Sequence, residues 1–250
     1  MNISGNTILI TGGGSGIGRA LAEALQAEGN VVIIAGRRAA ALQEVATANP
    51  GMETAVLDIA DADAIRSFAG DITARFPALD VVINNAGIMI AEDLTADPVD
   101  LTDAEATIAT NLLGPIRLIA ALLPHLKARP SATIMTVSSG LAFVPLAATP
   151  TYSATKAAIH SYSQSLRHQL RDTNVAVIEI APPAVATDLM PGHAENPNSM
   201  PLDAYIAETM ANLKAHPEGP ENLVARVGLL RDAERNGAYE QVFGMLNGAH

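Results

Sequence analysis

Cysteine and tryptophan are both absent from this 250-residue chain. Without cysteine there is no disulfide framework, no thiolate metal site and no cysteine nucleophile. Aromatic residues make up only 3% of the sequence, whereas hydrophobic residues make up 49%. We therefore expect a folded chain whose core consists of alanine, valine, isoleucine and leucine.

Basic side chains are scarce as well: 15 Lys and Arg residues stand against 26 Asp and Glu residues, for a formal net charge of −11. An acidic surface attracts neither nucleic acid nor an anionic membrane, so neither class of partner is expected. His160 and His168 are interpreted as residues of a helix surface or an interface. No metal is predicted, because none of the histidines shows the spacing of a metal site: His125, His160, His168, His193, His216 and His250.

Long hydrophobic runs are also missing. The longest, residues 116–124, contains Arg117 and is far shorter than the roughly 20 residues that cross a bilayer. The first residues, MNISGNTILITGGG, lack the basic segment that opens a signal peptide. These absences predict a soluble cytoplasmic protein.

Short β-branched runs alternate with longer helical patterns over the first 180 residues. The predicted strands are continuously apolar, as in a sheet covered on both faces, and span 7–10, 31–35, 54–57, 80–83, 133–137 and 176–180. The predicted helices span 17–28, 39–48, 61–75, 103–127 and 152–171. This alternation predicts one α/β domain over residues 1–250, with a doubly wound parallel sheet of the Rossmann type.

The last third of the chain has a different pattern, because it is interrupted by Pro182, Pro183, Pro191, Pro197 and Pro201. Residues 202–215 and 221–235 are predicted to be helical, and the closing AYEQVFGMLNGAH is not assigned to a strand. Residues 190–215 follow the sixth strand, at the sheet edge where ligands bind in such folds. They are interpreted as a substrate lid, with an ordinary surface loop as the alternative.

A glycine-rich turn, TGGGSGIG at 11–18, separates the first strand from the first helix. Such a turn lets backbone N–H groups approach a pyrophosphate at the helix N-terminus. It is neither a Walker loop nor a Gly-x-Ser-x-Gly elbow. The alternative is a helix-capping turn without a ligand. The predicted cofactor contacts here are Gly12, Gly14, Ser15, Gly16, Ile17 and Gly18.

The end of the second strand discriminates between the two nicotinamide cofactors. An NAD site places a carboxylate there, but this chain has Gly36-Arg37-Arg38 and no acid before Glu44. Arg37 can hold a 2′-phosphate through a forked, charge-assisted pair. NADP is therefore predicted in preference to NAD. The alternative is that both arginines are solvated charges at the start of the next helix.

Tyr152 and Lys156 are four residues apart in a predicted helix, so their side chains lie on one face. The tyrosine pKa must fall by about three units for acid–base catalysis near neutral pH. An ammonium about 5 Å away would supply roughly 3 kcal/mol, which is most of that shift. Ser139, after the fifth strand, would hydrogen-bond a substrate oxygen at the same edge. The alternative is a serine that satisfies backbone groups, a role that Ser138 fits better.

These motifs together resemble the short-chain dehydrogenase/reductase family, in its branch of single-domain enzymes of this length. The resemblance runs from about residue 6 to residue 189 and rests on TGGGSGIG at 11–18, NNAG at 84–87, Asn111, Ser139 and Tyr152-x-x-x-Lys156. The stretches SSGLAFVPLA, KAAIHSYSQSLRHQLRDT and IEIAPPAV are further similar to DltE-like oxidoreductases.

The resemblance implies a role for each site residue. Tyr152 would exchange a proton with the substrate oxygen, Ser139 would orient that oxygen, and Lys156 would also hold the nicotinamide ribose. Asn111 would bend its helix and hold a water in a proton relay. The remaining cofactor contacts implied by the family are Asp58 at the adenine amino group, Ile59, Asn84, Ala86, Gly87, Pro182, Val185, and Thr187 near the nicotinamide carboxamide.

Two departures from the family pattern affect these expectations. Pro182-Pro183 stands where the family usually has Pro-Gly, which implies a stiffer backbone over the nicotinamide. The family's glycine-rich C-terminal strand is not found, and helical segments are expected instead. That loss puts the common tetramer in doubt, whereas helices 103–127 and 152–171 remain available for a homodimer.

The sequence thus predicts an oxidoreductase that moves a hydride between NADP(H) and a carbonyl or secondary alcohol. A lipophilic small-molecule substrate is favoured by the predicted apolar walls, which are Leu141, Phe143, Val144, Leu146, Pro183, Leu189 and Met190. The alternative is a regulatory protein that binds NADPH without turning it over. A sensor has no need, however, to keep Ser139, Tyr152 and Lys156 together.

Overall fold

The fold is described from a computed structural model, which covers residues 1–190, 192 and 194–248. Over these residues, seven strands form one sheet in the order β3-β2-β1-β4-β5-β6-β7, and each neighbouring pair is parallel. The strands are β1 (Thr7–Thr11), β2 (Val31–Gly36), β3 (Glu53–Val56), β4 (Val81–Asn84), β5 (Ala132–Val137), β6 (Val175–Ile180) and β7 (Glu221–Asn222).

The helices of the described residues are α1 (Gly16–Ala27), α2 (Ala39–Ala48), α3 (Ala62–Arg75), α4 (Thr102–Ile108), α5 (Gly114–Lys127), α6 (Pro150–Leu170), α7 (Leu202–Ala215), α8 (Gly228–Arg231) and α9 (Tyr239–Asn247). A π-helical turn, Ala109–Leu113, joins α4 to α5, and 3₁₀ turns form at Gly140–Ala142 and Ala225–Val227. Apolar residues of α1, α2 and α7 cover one face of the sheet, and those of α3, α5 and α6 cover the other.

This double cover explains the apolar strands. Every residue of β1 and of β5 is buried. Successive side chains point to opposite faces, so Ile8 and Ile10 join one helical layer while Leu9 joins the other. A strand buried on both faces is therefore a continuous apolar run rather than an alternating one.

The predicted doubly wound parallel sheet is confirmed. The six predicted strands lie within one residue of the observed bounds at each end, and the predicted helices 39–48 and 202–215 coincide with α2 and α7.

The predicted helix over 221–235 is wrong over most of its length, since the α-helix in this range is limited to Gly228–Arg231. Glu221 and Asn222 form β7, which pairs in parallel with Glu179 and Ile180 of β6. The Asn222 side chain also donates to the carbonyl oxygen of Thr209 at 2.9 Å. The edge of β6 offers backbone partners that the local pattern does not reveal, so pairing overrides helix propensity. A short seventh strand therefore exists, and the C-terminal region forms α9.

The predicted helix 103–127 is three segments, since the π-helical turn separates α4 from α5. Among the described residues, Thr102–Lys127 is the one helical stretch that is long and apolar enough to cross a membrane, by length and composition alone. The expectation that every apolar stretch is too short to span a bilayer therefore fails for this stretch. In the fold, Leu118, Leu122 and Leu126 of this stretch are buried against the sheet, as in a core helix.

Candidate active site

The carboxyl ends of the strands open into a cavity of about 990 Å³. Ligands bind at this edge in parallel α/β folds. Most of the predicted site residues line it: Gly12, Gly14, Ser15, Gly16, Ile17, Gly18, Arg37, Ile59, Ala86, Gly87, Ser139, Tyr152, Lys156, Pro182, Val185 and Thr187. Asp58, Asn84 and Asn111 lie outside the lining.

The glycine loop needs glycine for two separate reasons. Gly12 has φ +70°, a left-handed conformation that side chains other than glycine rarely adopt. A Cβ at Gly18 would lie 2.3 Å from the Gly12 carbonyl oxygen and 2.4 Å from Asn85 Nδ2. Helix α1 therefore begins directly against the loop, which leaves a backbone-lined cradle of the kind that accepts a pyrophosphate.

The loop after β4 is bonded to this cradle through two residues that the sequence analysis did not select. Thr11 Oγ1 accepts hydrogen bonds from the backbone N–H groups of Asn85 and Ala86, each at 3.1 Å. Asn85 Nδ2 donates to the carbonyl oxygen of Thr11 at 3.0 Å. These bonds join the ends of β1 and β4, where the strand order reverses. The second asparagine of the NNAG motif is the sequence feature that could have indicated this contact.

Asn84 and Asp58, which are predicted cofactor contacts, are not among the residues that line the cavity. Asn84 is 4% exposed at the end of β4, and alternation along the strand turns it, like Val82, into the α3–α5–α6 layer. Within the described residues its amide N and O have no hydrogen-bond partner. Asp58 is exposed and accepts from the N–H of Ala60 at 3.0 Å. It closes a turn, while its neighbours Leu57 and Ile59 line the cavity.

Ser139, Tyr152 and Lys156 come together at the centre of the cavity, and none is more than 8% exposed. Ser139 follows β5, and its Oγ accepts from the N–H of Leu141 at 3.1 Å. Lys156 Nζ donates to the carbonyl oxygen of Val137 at 2.8 Å and lies 5.5 Å from the centroid of the Tyr152 ring. The predicted spacing on one helix face therefore produces a compact group.

Burial determines how these two groups titrate. It raises the pKa of Tyr152 to about 12, although the hydrogen bond with Ser139 opposes the rise. It lowers the pKa of Lys156 to about 8. Both shifts have the same cause, since burial disfavours the charged form of each group. The prediction that Lys156 lowers the tyrosine pKa during catalysis concerns the cofactor-bound protein and stays a prediction.

Asn111 lies in the π-helical turn, so the predicted irregularity of its helix is present. Its Oδ1 accepts from the N–H of Ile88 at 2.9 Å, and its Nδ2 donates to the carbonyl oxygen of Ile88 at 2.8 Å. A Cβ at Gly87 would lie 3.3 Å from Asn111 Oδ1 and 3.7 Å from Lys156 Nζ. Asn111 thus holds the loop after β4 beside the lysine.

The same loop also caps the helix that carries the tyrosine. The carboxylate of Glu92 accepts from the backbone N–H of Thr151 at 3.0 Å and from its hydroxyl at 2.7 Å. A carboxylate at a helix N-terminus satisfies an orphan donor and complements the helix dipole. Glu92 therefore fixes the start of α6 one residue before Tyr152. No local motif in the sequence signalled this contact.

Two arginines border the nucleotide end of the cavity. Arg37 and Arg38 are exposed and both line it, and Arg38 Nη2 donates to Ser15 Oγ at 3.3 Å. Two cations next to the glycine cradle suit a phosphorylated ligand.

The segment after β6 is held on two sides. The N–H of Gly140 donates to the carbonyl oxygen of Pro182 at 2.7 Å, which joins this segment to the turn after Ser139. Val185 forms a parallel bridge with Met200. Within the predicted lid 190–215, Asn196 and Asn198 line the cavity, whereas α7 packs into the core through residues such as Tyr205. Helix α7 therefore belongs to the core, and a lid stays a prediction for the described residues before it.

The predicted substrate wall needs correction at two positions. Leu141, Leu146, Pro183, Leu189 and Met190 line the cavity, but Phe143 and Val144 do not. Phe143 packs edge-on against His160 at 4.8 Å, and Val144 is fully buried in a small cluster with residues of the C-terminal region. Further apolar lining comes from Leu229, Leu230, Met245 and Leu246, which were not predicted.

His160, predicted to lie on a helix surface or at an interface, is partly buried, with its side chain 18% exposed. Its Nδ1 lies 2.7 Å from Oε2 of the buried Glu179, whose Oε1 accepts from Ser138 Oγ at 2.5 Å. Among the described residues, His160, Glu179 and Glu221 hold their ligand atoms within 4.8 Å of one another. Glu221 already pairs with Arg231 at 3.0 Å, so hydrogen bonds account for this group without an ion. Pro191, His193 and His250 lie outside the described residues.

Comparisons with known proteins agree with this geometry. A family model described as short chain dehydrogenase matches residues 6–198. The uncharacterized oxidoreductase DltE of Bacillus subtilis strain 168 is 40% identical over 252 residues, which cover 99% of this chain and 98% of that protein.

Two solved structures are similar as well. A short-chain dehydrogenase from Streptomyces avermitilis has a TM-score of 0.81 at 26% identity, with 95% of each chain covered. An alcohol dehydrogenase from Thermococcus sibiricus, complexed with 5-hydroxy-NADP, has a TM-score of 0.74 at 25% identity. That comparison covers 84% of this chain and 90% of the other.

The order in which the two buried groups titrate gives a direct test. With a lysine pKa of about 8 and a tyrosine pKa of about 12, Lys156 loses its proton well before Tyr152 ionises. In the cofactor-free protein, Lys156→Met is therefore expected to leave the Tyr152 titration unchanged. The measurement is the tyrosinate absorbance of each protein minus that of the matching Tyr152→Phe variant. A Tyr152 signal below about pH 10, or one that moves in Lys156→Met, would contradict the expectation.

Proposed function

Because the chain belongs to the short-chain dehydrogenase family, where it is DltE-like, we propose that it transfers a hydride between NADP(H) and a carbonyl compound or secondary alcohol. The observation that carries the proposal is the convergence of Ser139, Tyr152 and Lys156, each at most 8% exposed, beside the glycine cradle. The bound nicotinamide would supply or accept the hydride.

Each side chain then has a defined task. The Tyr152 hydroxyl donates its proton to the carbonyl oxygen in reduction and takes it back in oxidation. The Ser139 hydroxyl, whose oxygen already accepts from Leu141, keeps its own proton for the substrate oxygen. Lys156 has three donors and uses one on Val137, which leaves two for the Tyr152 oxygen and the cofactor ribose.

Asn111 acts in this proposal as a positioning residue. Its amide is engaged on both sides by the backbone of Ile88, so it holds the loop after β4 in place. The implied water relay would have to use the remaining hydrogen-bonding capacity of the same amide. The proposed cofactor contacts are the predicted residues that line the cavity, without Asp58 and Asn84.

NADP is the proposed cofactor. The residues present suit its 2′-phosphate, because Arg37 and Arg38 stand at the end of β2 where an NAD site has a carboxylate. The relative from Thermococcus sibiricus, 25% identical, is described as a complex with 5-hydroxy-NADP. The proposed location is the cytoplasm, and the proposed partner is a small molecule. The net charge of −11 disfavours nucleic acid and anionic membranes as partners.

A homodimer is the proposed assembly. Leu101, Ile108 and Leu113, on α4 and its flanking turns, are 54%, 39% and 38% exposed. Large exposed apolar side chains on one segment of the chain are candidates for a subunit contact. Sedimentation equilibrium is expected to give twice the chain mass, and Leu101→Glu with Ile108→Glu to give the single chain. A native protein that sediments as a monomer would contradict this assembly.

Tyr152→Phe tests the proposed reaction. The variant is expected to lose NADPH-dependent reduction of ketones and aldehydes by at least about 100-fold, because the proton donor is gone, while NADPH binding stays within a few-fold. Tyr162→Phe is the matched control, since Tyr162 lies on the same helix outside the cavity. Retained turnover in Tyr152→Phe would remove this residue from the mechanism. NADPH binding without turnover by the native protein would favour the regulatory alternative.

Arg37→Asp tests the cofactor. A carboxylate in place of the guanidinium repels a 2′-phosphate and accepts ribose hydroxyls, so the kcat/KM ratio of NADPH to NADH is expected to fall by roughly 10- to 100-fold. Arg235→Asp changes the same charge at an exposed position outside the cavity and is the control. An unchanged ratio in Arg37→Asp would place the phosphate contact elsewhere.

A further inference from the structure

Residues 224–247, here named the C-terminal cover, form one wall of the catalytic cavity. Leu229 and Leu230 of α8 and Met245 and Leu246 of α9 line the same space as Tyr152. None of these positions belongs to a motif of the sequence, because their role depends on where the chain end folds.

The cover lies directly against the turn that carries the catalytic serine. A Cβ built at Gly140 would meet Leu230 Cδ1 at 2.6 Å and Val227 Cγ2 at 3.1 Å. The side chains of Leu230 and Val227 therefore pack directly on the glycine that follows Ser139. This contact places Leu230, which lines the cavity, beside the turn of Ser139.

A side-chain clamp fixes the far end of the cover. Asn247 Oδ1 accepts from the N–H of Ala147 at 2.6 Å, and its Nδ2 donates to the carbonyl oxygen of Pro145 at 3.1 Å. These bonds tie α9 to the loop that leads into α6, and Leu146 of that loop lines the cavity. Below the clamp, Val242 is buried against Val144 and Ala233. The wall is thus held by both packing and hydrogen bonds.

Large apolar side chains on this wall remain open to solvent. Met245 is 61% exposed and Leu229 is 55% exposed, and Leu189, which also lines the cavity, is 38% exposed. From Ser139 onward, the charged side chains of the described lining are Lys156, Asp188 and Arg226. Arg226 Nη2 is bonded to the carbonyl oxygen of Asn198 at 2.7 Å. An uncharged apolar ligand would cover more of this surface than an ionic one.

We infer that the substrate is an uncharged ketone or aldehyde with an extended alkyl or ring substituent, or the matching alcohol, and that the C-terminal cover selects it through Leu230, Met245 and Leu246. The inference rests on the proposed function. Met245 is a specificity-determining residue in it, since it contacts the substituent rather than the reacting carbonyl.

The test compares methyl ketones of increasing length, from butanone to decanone, with NADPH and the native protein. Each added methylene that is buried on the wall is expected to raise kcat/KM roughly fourfold until the chain leaves the cavity. Pyruvate, which is similar in size to butanone but anionic, is expected to be a poorer substrate than butanone. Met245→Glu is expected to lower kcat/KM for decanone by at least about tenfold more than kcat/KM for butanone, because a charge replaces apolar surface on the wall.

Two variants control for charge and for fold. Gln241→Glu adds the same charge on α9 at an exposed position outside the lining and should keep the gradient. Met245→Leu retains an apolar side chain of similar volume and should keep it as well. The methyl NMR signal of Met245 gives a readout without turnover, and its loss in Met245→Leu assigns it. In the native protein this signal should shift when octanone is added with oxidised cofactor.

The outcomes separate the two proposals. Ketone reduction without a length gradient, or a gradient that survives in Met245→Glu, would overturn the substrate class and leave the proposed function standing. Reduction of none of the carbonyl compounds would overturn both. A gradient abolished by Met245→Glu alone, together with the Met245 methyl shift, would establish the apolar wall.

Discussion

The buried ammonium of Lys156 imposes the strongest constraint on the architecture of the site. The residue is 4% exposed, and its Nζ donates to the carbonyl oxygen of Val137. Taking such a charge out of water costs several kcal/mol unless it is paired, so the elements around it have little freedom to move. The loop after β4 packs closely on this group, because a Cβ at Gly87 would lie 3.7 Å from Nζ and 3.3 Å from the Asn111 amide oxygen. Lys156 thereby lies where β5, α6 and the loop after β4 meet.

That loop connects the cofactor side of the site to the catalytic side. Asn85 of this loop donates to Thr11 beside the glycine cradle, and Asn111 accepts from Ile88 of the loop. Glu92, also in the loop, accepts from the first turn of α6. All three contacts use polar side chains on backbone groups, which fixes positions without relying on the mobile ends of long side chains. The tyrosine hydroxyl and the cradle are consequently held in one frame before any ligand binds, which is the preorganisation that efficient catalysis needs.

Local sequence pattern predicts the sheet, the α-helices that cover it and the group of Ser139, Tyr152 and Lys156, since strand burial and helical spacing are short-range properties. The features that the pattern does not predict depend on contacts between residues far apart in the chain. β7 forms because the edge of β6 supplies backbone partners 42 residues upstream. Which asparagine of NNAG reaches the cradle depends on where β4 ends, so Asn84 turns into the core and Asn85 does not. The rise of the Tyr152 pKa reflects total burial, which no spacing rule measures.

The charge distribution gives the cavity its own selectivity. The chain as a whole carries −11, so its long-range field repels polyanions. Within that field, Arg37 and Arg38 at one end of the cavity and Lys156 at its centre form a local cationic track beside the glycine cradle. At the Debye length of about 8 Å in physiological salt, a small phosphorylated ligand inside the cavity interacts mainly with these three cations, whereas an extended nucleic acid meets the acidic surface. An acidic protein can therefore attract a small phosphorylated ligand to this cavity while its surface repels nucleic acid.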